Sequence, residues 1–240
     1  AVIEKVVFTS TNNERVPAYL AVPTAGKGPY PCVLLVHGLN SSKDWWWDRE
    51  PASDLTNGLL EAGIAVFAID LRYHGERSAA NDYQSPMYLT FENTLFVRSR
   101  DMSIQSTIDC RRALDYLATR ADVDSSRVAV AGYSLGGMIA LYLSVLEPGL
   151  NAVVGCAVPS HQQLLPADHY NFAARTELPT LLLAGSADWH SSPEDARTLL
   201  ELMPSPTKDL VLYDSGHQLP AEYPAVAVKW LAHHLDAGDE

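Results

Sequence analysis

The sequence predicts an α/β fold: a mostly parallel, eight-stranded sheet with helices on both faces. Three observations predict it. Short runs rich in Val, Ile and Leu recur along the chain. From the third onward they are nearly continuous rather than alternating, as strands buried on both faces must be. Stretches with helical spacing of apolar residues lie between them, and strands that alternate with helices build a parallel sheet covered on both sides.

The strand runs are VVF near 6–8, AYLAV at 18–22, CVLLVHG at 32–38, IAVFAID at 64–70, VAVAGYS at 128–134, AVVGCAV at 152–158, TLLLAGS at 180–186 and DLVLYDS at 209–215. The first two, joined by TNNER, read as an antiparallel hairpin at one edge. Helices are expected over about 50–62, 101–120, 135–147, 193–203 and 221–235. In the second of these, Ile104, Ile108, Ala113, Leu114 and Leu117 fall on one helical face. No repeat, low-complexity tract or change of composition interrupts the 240 residues, so a single domain over 1–240 is expected. Within it, the long segment 74–100 reads as a flap-like insertion after the fourth strand, because long ordered loops carry function more often than they merely connect.

Composition narrows the partners. The net charge is −12 and there is no basic cluster, which argues against nucleic acid or an anionic membrane. No apolar run approaches the roughly 20 residues that span a bilayer. Cys32, Cys110 and Cys156 are odd in number and lie in apolar surroundings, so they read as buried free thiols, with a mild preference for a reducing cytoplasm. The opening AVIEKVVFTS has neither the basic start nor the apolar core of a leader peptide.

In a sheet of this kind ligands bind beyond the C-terminal ends of the strands. That rule collects His37-Gly38-Leu39, Asp70 to His74, Ser134, Ser160-His161, Asp188-Trp189-His190 and His217 on one rim. Ser134 stands between glycines two positions away on either side, in GYSLGG. Such a serine could cap the helix that follows. Asp188 and His217, each after a later strand, favour a nucleophile instead, in the order nucleophile, acid, base.

Five motifs in order, HGLN at 37–40, DLRYHGERS at 70–78, GYSLGG at 132–137, GSAD at 185–188 and SGH at 215–217, each closing an expected strand, carry a resemblance. The chain resembles the α/β-hydrolase superfamily over nearly its whole length, and within it the small serine esterases related to dienelactone hydrolases and the catalytic domains of prolyl-oligopeptidase-like enzymes. The resemblance implies Ser134 as nucleophile, His217 as the base that activates it, and Asp188 as the group orienting that base. It implies the backbone N–H groups of Leu135 and Leu39 as the oxyanion hole, although H-G-L-N differs from the H-G-G-G of some lipases. A serine at the nucleophile position excludes dienelactone hydrolase itself, which uses cysteine.

The expected activity is hydrolysis of short-chain carboxylic esters through an acyl-enzyme, with no cofactor, no metal and a small-molecule ester as partner. The alternatives are a feruloyl- or cinnamoyl-type esterase, a thioesterase, a small peptidase, or a non-catalytic ligand-binding protein on the same fold. Three adjacent tryptophans at 45–47 cannot all face one core, so they either line the cleft or pack beneath it. Trp45, Trp46, Tyr133 and Trp189 are the candidate substrate contacts. His37 is expected to hydrogen-bond within the structure, and Asp70 to pair with Arg72 and brace the site loops. His161, His169 and His190 form the one candidate metal group, a weak one beside the hydrolase reading. Segment 159–178 is too short for an independent lid, so the cap is minimal.

Overall fold

A computed structural model describes residues 1–88, 95–160 and 168–236. Eight strands form one sheet: β1 (Val2–Thr9), β2 (Arg15–Val22), β3 (Tyr30–Val36), β4 (Ala65–Ile69), β5 (Val123–Tyr133), β6 (Val153–Cys156), β7 (Thr180–Gly185) and β8 (Lys208–Tyr213). Their spatial order is β1-β2-β4-β3-β5-β6-β7-β8. The β1–β2 hairpin pairs antiparallel and leans on β4 antiparallel, while every later pair is parallel. After the edge hairpin the chain crosses to β3, turns back to β4 beside the hairpin, then passes β3 to β5, and β3 and β5 lie side by side where the winding reverses.

The helices are α1 (Trp45–Asp48), α2 (Ala52–Glu61), α3 (Phe96–Leu117), α4 (Leu135–Leu146), α5 (His169–Ala173), α6 (Pro193–Leu202) and α7 (Tyr223–His234). Two apolar cores separate them. On one face Leu34, Phe67, Val130 and Leu182 of the sheet meet Cys110, Ile139, Leu143 and Leu199, from α3, α4 and α6. On the other, Leu35, Val66, Ala131 and Leu183 meet Trp46, Leu55, Leu59, Tyr223 and Leu231, from α1, α2 and α7. Alternate residues of each strand point to opposite cores, which is why the strand runs had to be apolar throughout.

Two boundaries differ from expectation. Helix α3 begins at Phe96, five residues before the expected start, so part of the 74–100 insertion is helix. The polar FVRSR stretch carries no apolar stripe that would have marked it. The 50–62 helix runs from Ala52 to Glu61, and the tryptophans before it form a separate four-residue helix, α1, that ends at an extended Arg49. Residues 89–94 of the insertion, including Glu92, lie outside the described residues, as does His161. Cys32, Cys110 and Cys156 are buried free thiols. No helix among the described residues is long and apolar enough to cross a membrane.

Candidate active site

β5 delivers Ser134 at the tip of the sheet in a strained conformation, φ 54° and ψ −115°. A side-chain-bearing residue pays about 1–3 kcal/mol for such a backbone, so its neighbours must hold it there. Ser134 N–H donates to the Cys156 carbonyl at 2.8 Å, and its own carbonyl accepts from Met138 in the first turn of α4. The turn is so tight that a Cβ on Gly132 would lie 2.0 Å from the Gly136 carbonyl oxygen, and one on Gly136 would lie 2.0 Å from that of Val36. Only glycine lets β5, α4 and β3 approach this closely.

The loops after β7 and β8 bring Asp188 and His217 to that tip. Ser134 Oγ is 3.0 Å from His217 Nε2, and His217 Nδ1 is 2.8 Å from Asp188 Oδ2. The Asp188 side chain is fully buried, and its Oδ1 accepts the His190 N–H at 2.9 Å. The acid is thus held on both oxygens. Chemically this chain of hydrogen bonds can move a proton from the serine hydroxyl to the imidazole while the carboxylate stabilises the cation formed.

The loop after β3 closes over Ser134 from the other side. A Cβ on Gly38 would lie 3.4 Å from the Ser134 Cβ. The backbone N–H groups of Leu39 and Leu135 make no hydrogen bond within the described residues. Leu135 also opens the twelve-residue helix α4, whose dipole favours negative charge at that end. These two amides can therefore serve an anion beside Ser134.

His37 sets the base of this loop. Its ring is fully buried, with Nε2 accepting the Leu71 N–H at 3.2 Å and Nδ1 donating to the Gly38 carbonyl at 2.8 Å. His74 packs on it edge to face, ring centres 5.0 Å apart. Burial lowers both imidazoles, His37 to about 4 and His74, which His37 depresses further, to about 3. Both are neutral in the fold, whereas in the unfolded chain each takes up a proton near 6.5. Their contribution is thus complete above pH 6.5 and is lost as pH falls towards 4 and then 3, at up to about 1.4 kcal/mol per pH unit for each. We expect the urea midpoint to fall between pH 7 and 5.5, and that slope to flatten in His74→Asn. Equal midpoints across this range would contradict the buried neutral pair.

Several sequence-derived contacts are corrected here. Trp46 is wholly buried beneath the site in the α2/α7 core, where its carbonyl accepts from Thr56, so it has no surface to offer a substrate. Tyr133 turns its hydroxyl to the histidine loop: it donates to the His217 carbonyl at 2.8 Å and accepts from Leu219 N–H at 2.9 Å. It clasps the histidine loop instead of lining a pocket. Trp45 is half-buried against Trp46 and Tyr133, with ring centres at 4.7 and 4.9 Å. Trp189 does stand at the rim, 74% exposed, its ring tilted against that of His190. Asp70 and Arg72 are not partners. Asp70 binds Lys43 and Arg72 binds Glu14, the strand having ended at Ile69 and the chain having entered a turn. No group of three His, Cys, Asp or Glu among the described residues could hold a metal.

The comparisons with known proteins agree with this architecture. A match to the alpha/beta hydrolase family spans residues 33–236. The chain belongs to the alpha/beta hydrolase family. Among curated relatives of this family member, YtaP of Bacillus subtilis is 27% identical over 174 residues, covering 68% of this chain and 56% of YtaP. The esterase FrsA of Yersinia pestis is 27% identical over 164 residues, 68% of this chain but 33% of FrsA. The chain thus spans only part of these relatives. A cold-adapted esterase from an Arctic intertidal metagenomic library superposes with a TM-score of 0.77 at 19% identity, covering 97% of this chain and 93% of that one, a likeness of fold.

His190, which the sequence already placed on this rim, lies with its ring centre 4.6 Å from that of His217. One feature of the site escaped the sequence. Lys43, fully buried behind the Leu39 loop, carried no signal at all, since a lysine in a polar loop reads as solvated.

Proposed function

We propose that this alpha/beta hydrolase is a serine esterase acting on carboxylic esters. The observation that carries the reading is the hydrogen-bonded chain Ser134–His217–Asp188, at 3.0 and 2.8 Å. In the mechanism, Ser134 Oγ attacks the ester carbonyl carbon as its proton passes to His217 Nε2. The carbonyl oxygen becomes an oxyanion that accepts hydrogen bonds from the two amides. Collapse breaks the ester C–O bond, and the alcohol leaves with the proton from His217. Water then attacks the acyl group on Ser134 with His217 again as base, releasing the acid and restoring the serine. Asp188 holds the imidazole in one tautomer throughout.

A second reading of the substrate rests on Trp189. Its ring centre is 3.5 Å from that of His190, which in turn lies against His217, so an aromatic ledge runs from the base to solvent. A flat acyl or alcohol group could stack there, which favours a feruloyl-type ester over a long aliphatic one.

Two measurements test the function. A fluorophosphonate probe should label the protein stoichiometrically at Ser134 and leave Ser134→Ala unlabelled. Across p-nitrophenyl acetate, butyrate, octanoate and palmitate, kcat/KM should peak at the shorter acyl chains. The described part of the β6–β7 connection supplies only the five-residue helix α5 as cap, and each added methylene gains about 0.8 kcal/mol only where a wall buries it. Methyl ferulate in the same panel tests the ledge. A maximum at octanoate or beyond would overturn the short-acyl preference.

A further inference from the structure

Lys43 is 1% exposed, and a lysine this buried demands partners. Its ammonium donates to Asp70 Oδ2 at 3.0 Å and to Glu76 Oε1 at 2.7 Å, and lies 4.8 Å over the Tyr19 ring. Burial opposes its charge, but the Glu76 and Asp70 carboxylates outweigh that and raise it above the ordinary lysine value. The backbone N–H of Lys43 donates to the other Asp70 oxygen, Oδ1, at 2.9 Å. Asp70, wholly buried at the end of β4, also accepts the Glu76 N–H at 3.0 Å. Its seat is built for it: Gly75 has φ +52°, and a Cβ there would lie 2.3 Å from Asp70 Oδ1.

The next residue, Leu71, gives its N–H to His37. Consecutive residues at the tip of β4 therefore grip both ends of the loop 37–43. Its middle is tied as well, since Ser85 Oγ donates to Asn40 Oδ1 at 2.6 Å and Asn40 sits at φ +60°. Between these fastenings lies Leu39, whose amide the esterase reading assigns to the oxyanion hole. A loop of this kind would normally drift on the ångström scale, enough to spoil an oxyanion contact.

We propose that Asp70 and Lys43 are positioning residues for the oxyanion hole, a buried ion pair that fixes the Leu39 amide at the distance the tetrahedral intermediate requires. The proposal rests on the esterase reading above. Neither residue touches the substrate. Their effect falls on the transition state, where the carbonyl oxygen carries full charge, and hardly on ground-state binding.

The test compares Asp70→Asn and the double variant Lys43→Met/Asp70→Asn with the wild type. The double variant leaves no unpaired buried charge and keeps the experiment decisive if the single one fails to fold. Folding is checked by near-UV circular dichroism. In the folded variant kcat should fall about 10- to 100-fold with KM within about threefold, a displaced donor losing part of what a deleted one loses. Affinity for a trifluoromethyl ketone, which forms a tetrahedral adduct with Ser134, should fall by the same factor. Fluorophosphonate labelling of Ser134 should still reach completion. A folded variant with kcat within about twofold of wild type, or with kcat reduced and ketone affinity unchanged, would overturn the proposal. An unlabelled Ser134 in the wild type would instead bring down the esterase reading and this proposal with it.

Discussion

Replacing Ser134 with alanine is expected to lower kcat by about 10⁴-fold or more while the protein stays folded. The size follows from the chemistry: without Oγ there is no acyl-enzyme, and what remains is water in a site that still presents two amides. A loss of that order corresponds to about 5.4 kcal/mol of barrier. His217→Ala should cost a similar amount, because the serine hydroxyl is a poor nucleophile without the base 3.0 Å away. The double variant should be little worse than either, since the two act as a unit. Asp188→Ala should cost less, as the Tyr133 clasp still holds the histidine loop through the His217 carbonyl and Leu219. The check is steady-state hydrolysis of p-nitrophenyl acetate by variants whose thermal unfolding matches wild type. A Ser134→Ala enzyme that kept more than about a tenth of its activity would rule out serine catalysis here.

Gly136→Ala is the second large effect, and it acts through backbone rather than chemistry. The new methyl group would sit 2.0 Å from the Val36 carbonyl oxygen and 2.8 Å from that of His37, both rigid backbone. Relief requires α4 to move away from β3. That shift would part the Leu135 amide, at the start of α4, from the Leu39 amide, in the loop after β3. We expect at least a 10²-fold fall in kcat/KM, about what the loss of one oxyanion donor costs, together with a lower unfolding midpoint. Gly149→Ala is the matched control, for nothing lies within 4 Å of a Cβ there. If Gly136→Ala behaved like Gly149→Ala, the close packing at the serine turn would have to be wrong.

Legibility in the sequence followed the physics of each part. The strand runs were readable because both faces of β3 to β7 are buried, and burial leaves apolar residues no alternative. Ser134, Asp188 and His217 were readable because each follows a strand that ends on one rim, so distance along the chain is no obstacle to their meeting. The start of α3 was not, because Phe96 to Arg100 form helix without an apolar stripe. The aromatic residues misled for a related reason. A tryptophan beside a loop motif looks the same whether it faces a cleft or a core, and Trp46 faces the core while Trp189 faces solvent.

By itself, the sequence determined the class of fold, the edge hairpin, the rim on which the polar loop residues gather, and Ser134, Asp188 and His217 as three side chains that could meet there. Those depend on local pattern: apolar continuity, glycine at a tight turn, and polar residues just past strand ends. What only the tertiary structure decided is which neighbours hold those groups in place. Asp70 pairs with Lys43 and not with Arg72, although Arg72 is two residues away and Lys43 is 27. Tyr133 serves the histidine loop 84 residues further on. Such partnerships depend on where strand order brings distant loops together and on how the chain turns after each strand, and a linear sequence carries no record of either.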